Sequence, residues 1–166
     1  MNTIKVFHPE ETFVYHINKN LCKVVYQGNK TCLLIEIHTN DDLEHVEGDS
    51  LQNDFAQLSL FIDDFPINVS TAEQLNGKKV EIPFGFEEVE DEDGEIHEVY
   101  YTSLNASEDE YETVKNELVF SKNNQGILSL NWTGYVQDYT GQTNDDVKFV
   151  IQTLFEDFDF EDDDFF

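Results

Sequence analysis

The chain contains no arginine, and its nine basic residues are all lysines, set against 36 aspartate and glutamate residues. The formal net charge is therefore −27. Arginine supplies the planar, multi-donor fork that grips phosphates and guanine edges. Its absence, together with this charge, argues strongly against direct binding to nucleic acid or to an anionic membrane. The expected partner is a basic protein.

Long apolar runs are also missing. No stretch approaches the ~18 apolar residues that a helix needs to cross a bilayer. The N-terminal sequence MNTIKVFHPEETF has neither the apolar segment nor the small-residue cleavage site of a signal peptide. We therefore expect a cytoplasmic protein.

Cysteine is scarce, with Cys22 and Cys32 on either side of a turn at residues 28–29. A hairpin centred on that turn pairs Val25 with Cys32 and Cys22 with Ile35, so the two sulfurs project from opposite faces. A disulfide would require a shift of register, which predicts two free thiols in a reducing compartment. The spacing matches no zinc site.

A calcium site is the other metal possibility, at residues 91–94. An EF-hand loop with Gly94 at its sixth position would need ligands from Val89 and Tyr100, and neither residue can supply the required carboxylate. We predict no metal and no cofactor.

Alternation of apolar and polar residues is the dominant local pattern, and it predicts short strands separated by turns. The 14 phenylalanines and 7 tyrosines are too many for a disordered chain, and 166 residues fit one domain. We predict a mainly β fold, a single-domain antiparallel β-sandwich or barrel with one short helix. Residues 1–155 would form the globular domain and residues 156–166 an acidic, aromatic C-terminal tail.

Individual segments support this fold. Strands are predicted at 3–7, 12–17, 21–26, 31–39 and 55–62, in hairpins about residues 93–94 and 123–126, and with Trp132 in the core. The spacing of Ser70 and Glu73 is that of a helix capping box and places the short helix there. Residues 145–155 fit both a strand and a helical stripe, and their β-branched and aromatic residues favour the strand.

The acidic residues concentrate in the second half of the chain, where residues 81–166 hold 24 of the 36. A halophilic surface would spread them over the whole chain. The densest group surrounds the turn at 93–94, in a hairpin predicted to pair Phe86 with Tyr101 and Glu88 with Val99. So many carboxylates cannot be buried without partners, and the hairpin is expected to project into solvent. They are Glu87, Glu88, Glu90, Asp91, Glu92, Asp93, Glu95 and Glu98.

Two further groups of acids follow. Glu108, Asp109 and Glu110 lie in what we predict to be a polar connection. The C-terminal segment, residues 155–166, consists of seven carboxylates and five phenylalanines. One interpretation of this segment is a frayed, solvated chain end. The other is a docking segment, because exposed phenylalanines provide apolar area that can drive binding to a partner. The candidate partner-binding residues here are Glu156, Asp157, Asp159, Glu161, Asp162, Asp163, Asp164, Phe165 and Phe166.

The last five residues, Asp162-Asp163-Asp164-Phe165-Phe166, resemble the acidic tip of bacterial and phage single-stranded-DNA-binding proteins. In that family an acidic run ends in a terminal phenylalanine that inserts into basic pockets of replication partners. The resemblance implies a charged peptide anchored by a terminal aromatic residue. It does not extend to the rest of the chain, which has no arginine and no basic groove for a DNA strand.

No motif in the sequence names a reaction. The five histidines lie in unrelated contexts, and neither a nucleophile elbow nor a phosphate-binding glycine loop occurs. We predict a non-catalytic acidic protein that neutralises or inhibits a basic partner, a nuclease toxin or a nucleic-acid-binding protein, as an immunity protein or a DNA mimic. One alternative is an adaptor or accessory replication factor that docks through its tail. Another is a β-sandwich enzyme or carbohydrate-binding module whose pocket is lined by Tyr100, Tyr101, Trp132 and Tyr135.

Overall fold

The computed structural model describes residues 2–27, 30–39, 46, 48–106 and 108–162. Over these residues the chain forms thirteen strands and two short 3-10 helices, at Leu51–Phe55 and Ala72–Leu75. The strands are β1 (Thr3–Phe7), β2 (Thr12–Gln27), β3 (Lys30–Thr39), β4 (Leu58–Pro66), β5 (Lys79–Ile82), β6 (Phe86–Glu90), β7 (Ile96–Tyr100), β8 (Thr102–Ala106), β9 (Asp109–Tyr111), β10 (Thr113–Lys122), β11 (Leu128–Gln137), β12 (Asp146–Leu154) and β13 (Asp157–Asp162).

One large sheet carries most of the strands, in the order β5-β10-β11-β12-β1-β2-β3-β4-β8-β9. Its pairings are antiparallel, and β13 joins it by pairing in parallel with β2. The sheet curls into a half-barrel around a core whose largest buried side chains are Trp132, Tyr15, Phe13, Phe120 and Phe149. The predicted mainly β antiparallel fold is confirmed. None of the helices in the described ranges is long and apolar enough to cross a membrane.

Strand β2 is longer than the sequence analysis predicted. Two strands were expected, at 12–17 and 21–26, and the buried apolar residues change from odd to even positions between Tyr15 and Cys22. The structure has a single strand of 16 residues whose register against β3 shifts between Ile17 and Lys19. Such a bulge adds one residue, so the residues on both sides of it point into the same core.

The hairpin of β2 and β3 confirms the predicted pairing of Val25 with Cys32 and of Cys22 with Ile35. Both cysteines are free, as predicted. Cys22 is buried, and burial raises the pKa of its thiol well above the ordinary value. The turn at residues 28–29 lies outside the described residues.

Three hairpin turns share one sequence pattern, an Asp or Asn followed three residues later by Gly, at 91–94, 123–126 and 138–141. In each, the glycine has a φ between 76° and 81°, and its N–H donates to the carbonyl of the first residue. The side chain of the first residue accepts the backbone N–H two residues on. Glycine is required because this left-handed conformation strains other residues.

The first of these turns corrects the predicted register of the acidic hairpin. A two-residue turn at Asp93 and Gly94 was expected, but the loop comprises residues 92–94, closed by the hydrogen bond from Asp91 N to Glu95 O. A type I turn followed by a left-handed glycine adds this extra residue. The observed pairs are Phe86 with Tyr100, Glu87 with Val99 and Glu88 with Glu98, and the predicted pairs Phe86–Tyr101 and Glu88–Val99 are wrong.

Residues 145–155 form strand β12 rather than a helix, as the sequence favoured. After pairing with β1 as β12, the chain passes the N-terminal end of β1 and pairs with β2 as strand β13. Buried Asn20 holds this step: its Nδ2 donates to Thr153 Oγ1 and Leu154 O, and its Oδ1 accepts from Glu156 N. Residues 157–162 are thus an ordered strand of the sheet. The sequence had left open whether this segment is ordered.

Local differences from prediction concern the shorter elements. The helix near residue 70 is a 3-10 helix at Ala72–Leu75, and Gln74 Oε1, not Glu73, accepts the N–H of Ser70. The 3-10 helix Leu51–Phe55 was not predicted, and β4 begins at Leu58 rather than at 55. The predicted polar connection at 108–112 contains strand β9.

Candidate functional site

The hairpin of β6 and β7, residues 86–100, is here named the acidic finger. It holds eight carboxylates, and all of them are exposed except half-buried Asp91. Within the described part of the chain, β6 and β7 pair only with each other, in a two-stranded sheet of their own. The finger therefore meets solvent on both faces, as the density of its charges requires.

The acidic finger also exposes apolar side chains. Residues directly opposite each other in a strand pair share a face, so charged and apolar side chains are mixed on both faces of the finger. The exposed fractions are 40% for Val89, 68% for Ile96, 37% for Val99 and 55% for Tyr100. The finger thus offers apolar area as well as charge to any surface that contacts it.

Tyr101 fixes the base of the finger. Tyr101 Oη donates to the carboxylate of Glu87, which is the main reason why the pKa of Tyr101 is raised to about 12. The Tyr101 ring packs edge-on against Phe65 in β4, with 5.1 Å between the ring centroids. Tyr101 O also accepts the N–H of Asp63. The finger is thereby tied to β4 by side-chain and backbone contacts.

The tip of the finger contains its only cationisable residue, His97. His97 Nε2 hydrogen-bonds Asp91, and this bond, with the backbone N–H of Glu95, lowers the pKa of Asp91. Ligand atoms of Asp91, Glu95 and His97 lie within 4.8 Å of one another, a set that could hold a metal ion. Asp91 Oδ1 already accepts two backbone N–H groups and Oδ2 bonds His97, so the cluster is satisfied without an ion. The absence of a metal site stays a prediction.

Strand β9 brings further carboxylates beside the finger. The pKa of Tyr100 is raised first by its hydrogen bond to Glu98, and also by the charges of Glu112 and Glu110. A groove of about 380 Å³ separates the finger from β9. Its lining is Tyr100, Thr102, Ser103, Glu110, Tyr111 and Glu112. Two rings and two carboxylates at one opening suit a lysine or arginine side chain.

The acidic surface continues onto β4 and β3. The pKa of Asp63 is raised first by burial and then by the charges of Asp64, Glu36 and Glu110. Glu110 thus acts on both Tyr100 of the finger and Asp63 of β4. These mutual influences bring the carboxylates of the finger, β9, β4 and β3 into one electrostatic neighbourhood, here named the acidic face.

Four carboxylates at the acidic face were not among the predicted site residues: Glu112, which follows β9, and Glu36, Asp63 and Asp64. Glu36 lies in β3, and both Asp63 and Asp64 lie in β4, in the less acidic first half, where no local pattern marks them. Pairing of β3 with β4 and of β4 with β8 brings them towards β9. Of the predicted β9 group, Glu110 belongs to the face, whereas Asp109 pairs with Ala106, at the end of β8 away from the finger. Glu108 precedes it there.

The C-terminal candidates divide into two groups. Glu156, Asp157 and Asp159 are exposed along β13, while Phe158 and Phe160 pack against the core. Glu161 forms an ion pair with Lys23, with 3.1 Å between Oε1 and Nζ. The side chain of Asp162, and residues Asp163, Asp164, Phe165 and Phe166, lie outside the described residues.

Strand register relates β13 to the acidic finger. Asp162 lies opposite Tyr26 on β2, and Tyr26 lies opposite Thr31 on β3. Cys32, the next residue of β3, pairs with Pro66 at the end of β4. The finger leaves the sheet beside this end of β4. The end of β13 and the root of the finger thus lie at the same end of the sheet, with β2, β3 and β4 between them.

A buried His–Asp pair, not predicted from the sequence, lies at the other end of β1. His8 Nε2 is 3.1 Å from Asp138 Oδ2, and His8 Nδ1 accepts the N–H of Glu10. Burial raises the pKa of Asp138, but hydrogen bonds from Thr140 and Thr143 outweigh it, and the net pKa is lowered. Both ring nitrogens are engaged, so the pair holds the β11–β12 loop against the residues that follow β1.

The four rings proposed for a sugar or substrate pocket do not share one location. Trp132 is buried in the core and donates to Asn116 Oδ1. Tyr135 lies on β11 under Lys115, whereas Tyr100 and Tyr101 belong to the finger and its base.

Comparison with known proteins adds no family to this description. No protein-family model, no curated protein and no solved structure significantly matches the chain.

Proposed function

We propose that the protein is a non-catalytic binding protein that captures a basic partner through its acidic face and thereby neutralises or inhibits it. One observation carries this proposal. The acidic finger presents eight carboxylates on a hairpin that is solvated on both faces, with His97 as its only cationisable side chain.

The mutual repulsion of the acids supports a role in binding. Asp63 and Tyr100 both have pKa values raised in part by neighbouring carboxylates. Such crowding disfavours the folded state, and a cationic surface relieves it on contact. Placing these charges on one hairpin, where they repel each other, is therefore consistent with a surface that functions in a complex.

The groove beside Tyr100 gives the acidic face a place for an anchor residue. An arginine or lysine inserted there would lie between aromatic rings and the carboxylates of Glu110 and Glu112. Interfaces concentrate their affinity in a few such desolvated contacts, whereas exposed rim charges mainly accelerate association.

The partner class follows from where proteins concentrate positive charge. Grooves that bind nucleic acids are lined with lysine and arginine, and a carboxylate surface on a rigid scaffold can occupy them in place of phosphates. We therefore propose a nuclease toxin or another nucleic-acid-binding protein as the target, in a reducing compartment such as the cytoplasm.

The test is inhibition measured as a function of salt. A panel of basic nucleases is assayed on DNA with and without the protein, and association rates are followed between about 50 and 500 mM salt. We expect inhibition of at least one nuclease, with an association rate that falls steeply as salt increases. Association that is insensitive to salt would contradict the proposal.

A second candidate function is an adaptor that docks through its C-terminal segment. The exposed acids of β13, and the position of its end at the same end of the sheet as the root of the finger, favour it. Removing residues 163–166 keeps β13 and the Lys23–Glu161 ion pair, so it tests the terminal residues alone. An adaptor would lose its partner on this truncation, whereas a finger-dependent inhibitor would keep it.

A further inference from the structure

The hydrogen-bond pattern of the acidic finger leaves one edge of β7 open. Asp91 N donates to Glu95 O at 2.9 Å, and Tyr101 N donates to Gly85 O at 2.7 Å. In an antiparallel pair, hydrogen-bonded positions alternate with positions whose backbone groups point away from the partner strand. On β7, the backbone N–H and C=O groups that point away from β6 are those of Ile96, Glu98 and Tyr100. Among the described residues, no strand pairs with this edge.

We propose that this edge of β7 is the docking site for an extended, basic segment of the partner protein, which adds to the finger as a third strand. This inference rests on the proposed function, because it assumes a basic partner. Strand addition of this kind gains affinity from backbone hydrogen bonds and specificity from alternate side chains.

Side chains at the edge define what the segment must carry. Glu98 lies between Ile96 and Tyr100, both of which are more than half exposed. A matching strand places a lysine or arginine next to Glu98 and apolar residues next to Ile96 and Tyr100. The opposite edge, on β6, is less suitable because it offers Glu88 and Glu90 with only half-buried Phe86.

The negative charge of the β7 edge determines which kind of segment can bind there. A second copy of this chain would bring a net charge of −27 to an edge that is already acidic, and the two would repel. A basic segment is attracted instead. An isolated two-stranded ribbon is also marginally stable in water, so a third strand would stabilise the finger itself.

The experiment uses the full chain and, as the probe, a synthetic peptide with the repeat Val-Thr-Lys-Thr, which places valine and lysine alternately along one face of an extended strand. A second peptide has the same sequence but carries N-methyl groups on the backbone nitrogens of one edge, which blocks strand pairing without changing charge. Affinity is measured by fluorescence anisotropy, and hydrogen exchange is followed at the amides of Ile96, Glu98 and Tyr100.

Two proline variants provide a matched pair. Glu88 and Glu98 face each other at positions whose N–H groups point outward, so Glu98→Pro removes a donor from the β7 edge and Glu88→Pro removes one from the β6 edge. Each variant loses one carboxylate. Glu98→Gln controls for that charge, and the methylated peptide provides a test that requires no change to the protein.

We expect the unmodified peptide to protect the three edge amides, and the methylated peptide to bind roughly tenfold more weakly. Glu98→Pro should weaken binding more than Glu98→Gln and Glu88→Pro. If both peptides bind equally and the edge amides stay unprotected, the third-strand proposal is overturned while charge-driven capture stands. If neither peptide binds, both the third-strand proposal and the proposed function are contradicted.

Discussion

Glu88 lies directly opposite Glu98 in the acidic finger, so two carboxylates occupy adjacent positions on one face of a two-stranded ribbon. Like charges in this arrangement destabilise a strand pair. This repulsion fits the proposed function, in which a cationic surface relieves it on contact.

Replacing Glu88 with glutamine should stabilise the finger and weaken its attraction for cations. The change removes one of two facing charges, and we expect amide exchange at Val89, His97 and Val99 to slow roughly twofold to fivefold. Hydrogen exchange followed by NMR measures this. Faster exchange in the variant would show that the carboxylate of Glu88 stabilises the ribbon, contrary to our account.

Asn20 should be required for the docking of β13. Replacing it with alanine leaves the N–H of Glu156 and the carbonyl of Leu154 without their partner, at a cost of about 2–3 kcal/mol. Denaturant unfolding measures the loss. Cys22, which lies opposite Phe158 of β13, should also become reactive toward a thiol reagent. The exposed neighbour Asn18 is the control, and an equal effect of Asn18→Ala would contradict this role.

Asp138 should make stability depend on pH in the acid range. Its pKa is lowered in the folded state below the usual 3.8, so its contribution is complete above that value and is lost as the pH falls through the lowered pKa. Asp138→Asn should cost about 2 kcal/mol at neutral pH, and the difference from wild type should shrink below about pH 4. Unfolding curves across this range test it, and a constant difference would contradict it.

Gly85 should be essential for the root of the finger. A Cβ at this position would lie 2.6 Å from Thr102 Oγ1 and 2.9 Å from both Glu112 Cβ and Thr113 O. Gly85→Ala should therefore destabilise the protein by about 1–3 kcal/mol and displace β6 from β9. Gly48→Ala, where nothing lies within 4 Å, is the control. Equal stability of the two variants would show that the root tolerates movement.

Most strands of the large sheet could be predicted because one face of each is buried. The alternation of apolar and polar residues in the sequence reflects this burial directly. The same rule placed Trp132 in the core, and the pairing of Cys22 with Ile35 followed from the turn between them. Strand β13 was not predicted because the flanking acids mask the alternation of Phe158 and Phe160. Its partner edge on β2 is free only because β1 is short, a property of topology rather than of local sequence.

The acidic face was only partly predictable. Charge density identified the finger, but its register depended on the side chain of Asp91, whose two bonds to backbone N–H groups fix a longer loop. Glu36 and Asp63 joined the face through strand pairing, which no local pattern reveals.

The most direct test of the central claim compares two variants with equal net charge. One carries Glu88→Gln, Glu90→Gln and Glu95→Gln in the finger, and the other carries Glu10→Gln, Asp54→Asn and Glu73→Gln, at exposed positions outside the finger. Binding of poly-lysine is measured for both at about 150 mM salt. If the acidic face binds cations as a defined surface, the finger variant loses most of its affinity and the other variant keeps it. Equal losses would show that net charge alone attracts the cation.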